Sequence, residues 1–138
     1  MSDDLEQAFR RREMDILHLC ATRAEILASK NARRHLMEGF YRRLGILETN
    51  RINIREIADP NRTKNLSPYE CGDLNLHLNS YYFQMRGSLD NLAWIVHYEL
   101  ALLGTGDESD LPTRRHCNLF GHNFLKALDK QHPSLKDA

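Results

Sequence analysis

Proline and glycine are both scarce in this chain, with four Pro and seven Gly among 138 residues. So few turn formers count against a loop-rich all-β fold. No stretch approaches the roughly 18 apolar residues that a membrane span requires, and no membrane partner is expected. The opening residues Met1-Ser2-Asp3-Asp4-Leu5-Glu6 lack the basic start and apolar centre of a secretory signal. The three cysteines, Cys20, Cys71 and Cys117, are odd in number, far apart and without a CxxC pair. They read as free thiols in a reducing cytoplasm. Glycine-rich phosphate loops and the HExxH and GxSxG motifs are absent as well. Neither sign of charge dominates, with 19 basic and 19 acidic side chains.

What is present is a globular balance, 41% hydrophobic and 28% charged, in a length that suits one domain spanning residues 1–138. The neutral total hides an uneven distribution. Residues 1–66 carry 13 basic and 10 acidic side chains, whereas residues 67–113 carry only Arg86 against seven acids. The basic clusters Arg10-Arg11-Arg12, Arg33-Arg34, Arg42-Arg43 and Arg114-Arg115 form a phosphate-attracting surface only if folding gathers them. Most have acids interleaved, the pattern of solvated helix faces.

Ser2 with Asp3, Asp4 and Glu6 marks a helix start. Leu5, Phe9, Ile16, Cys20 and Leu27 then trace one stripe of an amphipathic helix reaching about Ala28. After a break at Lys30-Asn31, a second stripe runs through Leu36, Met37, Phe40, Tyr41, Leu44 and Leu47. Gly39 and Gly45 inside it suggest a close helix contact. One bent helix and a hairpin both fit residues 1–50. The pattern fades over residues 49–66, where Asp59-Pro60-Asn61 signals a turn.

Ser67-Pro68-Tyr69-Glu70 is the clearest local signal, a capping box with proline at the first helical position. From there the spacing predicts a long central helix over 68–103, with Gly104 as its C-cap. Leu74, Leu78, Tyr81, Met85, Leu89, Leu92, Val96 and Leu103 share one face, and Leu76, Phe83, Trp94 and Ala101 nearly the opposite one. A helix apolar on two sides belongs between partners, some of them in a second copy of the chain. A small acidic linker over 104–112, a basic segment and a short polar tail over 131–138 complete the chain. The expected fold is all-α, an antiparallel helical bundle of three to five helices.

Three groups of residues are candidates for chemistry. His116, Cys117 and His122 offer soft ligands but lack the second pair that a zinc site needs, so no metal or cofactor is expected. Asn79, Arg86, Asp90 and His97 follow one another at spacings of seven, four and seven and share a strip of the central helix. Arg86 and Asp90 have the spacing of an ion pair, and His97 is a titratable group beside them. Arg115 and His122 are seven positions apart, so on a continuous helix both would share a face. Arginine and histidine so placed suit RNA cleavage without metal. The imidazole exchanges a proton with the 2′-hydroxyl or the leaving oxygen, and the guanidinium stabilises the phosphorane.

The segment Tyr81-Tyr82-Phe83-Gln84-Met85-Arg86-Gly87-Ser88-Leu89-Asp90-Asn91-Leu92-Ala93-Trp94, with Asn118-Leu119-Phe120-Gly121 and Phe124, resembles bacterial HEPN-like proteins over about residues 1–130. The resemblance implies a small all-α bundle, commonly dimeric, in toxin–antitoxin or antiviral defence. Many members of that superfamily are metal-independent ribonucleases whose motif is Arg, four to six residues, then His. The family places this motif in a helix after the Phe124 region, where this sequence has His132 but no Arg beyond Arg115. Either Arg115 and His122 are the motif in a shifted place, supported by Arg86, Asp90 and His97, or the catalytic helix is missing. The first alternative implies a cytoplasmic dimeric endoribonuclease acting on RNA, with a cognate antitoxin. The second implies a non-catalytic module that binds a protein, including its own second copy.

Overall fold

In the computed structural model, residues 3–135 are described. The expected N-cap Ser2 and tail residues 136–138 lie outside them, as do the side chains of Asp3, Asp4, Leu5, Glu6 and Leu135. The described residues form helices and no strand. These are α1 (Asp3–Ile26), α2 (Lys30–Arg34), a π-helical segment (His35–Tyr41), α3 (Arg42–Ile57), α4 (Pro68–Leu100), α5 (Leu111–His116), α6 (His122–Gln131) and a 3-10 turn (Pro133–Leu135). The all-α expectation holds.

Of the two alternatives for residues 1–50 the structure has the hairpin: Cys20 and Ala24 pack on Leu36 near the bend, and Phe9 lies under Arg51 at the far end. The chain breaks after α1, and Ser29 then caps a new helix, its hydroxyl accepting the Ala32 N–H at 3.3 Å. From Lys30 the helix runs without interruption through the π segment to Ile57, well past the point where the apolar pattern fades. It turns back over 58–67 into α4. Three cross-contacts fix the antiparallel pairing: Asn50 meets Ser80, Arg43 meets Gln84, and His35 meets Asn91. Much of this seam is polar. Asn50 is buried, donates to Ser80 Oγ at 2.9 Å and accepts from His77 Nδ1 at 2.9 Å. Polar seams of this kind fix register, because a slip leaves buried donors unpaired.

The capping box at α4 forms as its sequence dictates. Ser67 Oγ accepts the Glu70 N–H at 3.3 Å, and Glu70 Oε2 accepts the Ser67 N–H at 2.7 Å. The far end departs from expectation. The helix stops at Leu100, and Ala101 rather than Gly104 takes the left-handed conformation at the cap, with φ 48°. The cause is tertiary: His97 accepts the Leu103 N–H and is itself tied to the following loop.

Two small apolar clusters make the core. Trp94, Ala93, Leu102, Cys117 and Phe124 join the end of α4 to α5 and α6, while Cys20, Ala24 and Leu36 seat α1 against the π segment. The two-sided packing expected along α4 is not found in its first half. Leu76 and Phe83 are 65% and 69% exposed, and Leu78 and Met85 are exposed as well. In this half α4 packs on α3 along one side only, and α1 docks chiefly on the π segment. Phe9, Met14, Ile16, Leu19 and Ile26 of α1 are likewise exposed.

Candidate functional site

Arg115 and His122 do not share a helix. The last turn of α5 ends at His116, Cys117 turns into the core, and α6 starts at His122. Asn118 makes the break: its side chain accepts the Phe120 N–H at 3.1 Å and its carbonyl the Gly121 N–H at 2.8 Å. The shared-face geometry therefore gives way to a joint between two short helices. Across that joint, Asn123 Nδ2 donates to His116 Nδ1 at 2.8 Å. Arg115 and His122 are the exposed residues adjoining this bond in sequence, one on each helix.

The strip on α4 also divides. Asn79, Arg86 and Asp90 are exposed, and among the described residues no ion pair joins Arg86 to Asp90. His97 leaves the surface and is 1% exposed. Its Nε2 donates to the Gly106 carbonyl at 2.9 Å and its Nδ1 accepts from Leu103, so both ring nitrogens serve the α4–α5 connection. The connection is held from its other end too, by the Asp110 side chain capping α5 at Thr113. Among the described residues no group of three His, Cys, Asp or Glu is arranged to hold a metal, which includes the His116, Cys117 and His122 set.

Sequence reasoning missed the most organised polar cluster. His35, the first residue of the π segment, bonds through Nδ1 to Asn91 Oδ1 at 2.9 Å and through Nε2 to Glu108 Oε1 at 2.8 Å. One oxygen thus faces each ring nitrogen. The ring stacks on Trp94 and Tyr98, with centroids 5.8 and 5.6 Å away. Burial and the charge of Glu108 raise the Tyr98 hydroxyl above its usual range. Arg34 also donates to Glu108. Gly39 permits this assembly, since a Cβ there would fall on the Asn91 amide. Gly45, the other glycine of that stripe, has open space around it. The only local trace of the cluster is the run Arg33-Arg34-His35; its partners lie 56 and 73 residues away.

No family model, curated protein or solved structure matches this chain.

Proposed function

We propose that this chain is a HEPN-like helical interaction module of the bacterial cytoplasm, and that it works by pairing with a second copy of itself. The supporting observation is area. The protein exposes 9958 Å², against about 7,400 Å² for a compact monomer of its mass. The excess of about 2,500 Å² is several times the ~800 Å² that each partner contributes to a standard interface. The exposed surface includes the bare apolar face of α4, where Leu76 and Phe83 project from a helix 33 residues long. Light scattering coupled to gel filtration tests this reading. The unaltered protein runs as a dimer, and Leu76→Glu with Phe83→Glu runs as a monomer of unchanged helicity. An unaltered protein that stays monomeric at high micromolar concentration refutes it.

A second reading is a metal-independent endoribonuclease of a defence or toxin–antitoxin system, with an antitoxin as its protein partner. The His116–Asn123 bond favours it, because it ties together the helix ends that carry Arg115 and His122. Arg86 and Asp90 are exposed on α4, while the buried His97 has no path to RNA. Single-stranded RNA incubated with the protein in EDTA decides the matter. Cleavage to 2′,3′-cyclic phosphate ends, lost in His122→Ala, supports this reading; intact RNA beside a folded dimer leaves the interaction module.

A further inference from the structure

The hollow between the π segment, α4 and the loop before α5 is occupied by a carboxylate of the chain itself. Glu108 Oε1 takes bonds from Arg34 and from His35 Nε2. The His35 ring is fixed before any acceptor arrives, by Asn91 on its other nitrogen and by the Trp94 and Tyr98 rings against its face. Asn91 is pinned in turn, its Nδ2 donating to the Gly87 carbonyl at 2.7 Å. Two donors thus converge on one oxygen position at the edge of an open space of about 370 Å³. A donor held in place beforehand, as His35 is, binds an anion with little ordering cost, and the Arg34 guanidinium adds charge.

The partners differ in how deeply they are set. The His35 side chain is 11% exposed, whereas those of Glu108 and Arg34 are 43% and 50% exposed, and Glu108 comes from a loop. His35 belongs to the framework, Arg34 closes over it from the surface, and the loop acid is the exchangeable member. A second hollow of about 520 Å³ adjoins the first and shares Arg34 and Glu38 with it, adding Lys30 and Arg33. Arg33 is anchored there by its bond to the Leu27 carbonyl at 3.0 Å. With Glu108 withdrawn, Lys30, Arg33, Arg34 and His35 line the two hollows beside Glu38, with Asp107 near Tyr98 at the edge. Such a field favours a dianion over the monoanionic carboxylate it replaces.

We infer that Arg34 and His35, oriented by Asn91, form a binding site for a phosphate monoester, and that Glu108 is the built-in competitor that fills the site when no ligand is present. The pairing function proposed above does not require this site, and the site does not require pairing.

Calorimetric titration of inorganic phosphate into the full chain, at ionic strength held constant with chloride, tests the assignment. Glu108→Ala binds phosphate about tenfold more tightly than the unaltered protein, since an apparent dissociation constant scales inversely with the fraction of open sites. Arg34→Gln in the Glu108→Ala background loses that binding. Equal affinity of the unaltered and Glu108→Ala proteins overturns the inference, as does binding that survives Arg34→Gln. Acetate is the comparison ion, and acetate binding as tight as phosphate overturns the preference for a dianion. Should Glu108→Ala not fold, Glu108→Gln keeps an oxygen for both donors but sheds the charge. It must still bind phosphate more tightly than the unaltered chain.

Discussion

Glu99 caps a corner that lies 70 residues earlier in the chain: its Oε1 accepts the Ser29 N–H at 2.7 Å, and its Oε2 accepts the Ala28 N–H at 3.2 Å. Those two amides fall in the gap between α1 and α2, where no helical carbonyl reaches them. Glu99→Ala leaves both without this acceptor and is expected to cost about 1–3 kcal/mol. Urea unfolding measures the loss, and a change under about 0.5 kcal/mol would show that water replaces the carboxylate freely.

The start of α4 is acid-sensitive. Bonds from Arg62 at 2.8 and 2.9 Å, then the Ser67 amide and hydroxyl, lower the Glu70 carboxyl from 4.5 to about 2. A carboxylate lowered by folding stabilises the folded state above its unfolded value. That contribution declines as pH falls from 4.5 toward about 2. Stability followed by circular dichroism should therefore drop through this window, and Glu70→Gln should flatten that part of the profile.

Ala101 carries strain that glycine would not. Its φ of 48° lies in the left-handed region, and Ala101→Gly should raise stability by up to about 1 kcal/mol. A lower melting temperature for the glycine variant would contradict this.

Gly39 is the opposite case. Gly39→Ala would place a methyl on the Asn91 side chain, which His35 and the Gly87 carbonyl both hold. A loss of about 1–3 kcal/mol is expected, the usual cost of overpacking, together with a change in the histidine ring signals by NMR. Gly45→Ala meets nothing within 4 Å and should be neutral or stabilising.

Cysteine reactivity should be graded. Cys71 is exposed, whereas Cys20 and Cys117 are buried. Burial and then the charge of Asp90 push the Cys117 thiol up to about 12, and burial raises Cys20. Only Cys71 should be alkylated rapidly at pH 8, with the other two following on unfolding. Mass spectrometry counts the labels, and fast modification of Cys117 in folded protein would refute its placement.

The sequence was legible wherever local chemistry decides the structure. Ser67, Pro68 and Glu70 announce the start of α4 because every partner in a capping box lies within three residues. The end of α4 was misplaced because it depends on His97 reaching the loop that follows. The Arg115 and His122 pattern assumed a continuous helix, which the turn at Asn118 interrupts. The His35 cluster left only the run Arg33-Arg34-His35 as a trace, since periodicity says nothing about residues 73 positions apart. Apolar spacing found the stripes of α4 correctly, but spacing alone does not say which stripe its own chain covers.

The π segment has a consequence for what insertions and deletions this chain tolerates. A wide turn of the i→i+5 kind holds one residue more than the ordinary helical turn. His35–Tyr41 therefore takes in one residue without altering the angular phase of α3 downstream. Removing one residue there would let the segment wind as ordinary helix and leave Arg43 and Asn50 facing Gln84 and Ser80. Removing one between Arg43 and Asn50, where the turns are already ordinary, would swing Asn50 by about 100° about the axis and away from Ser80. The wide turn is a spare link, one that can be given up without putting the seam out of mesh.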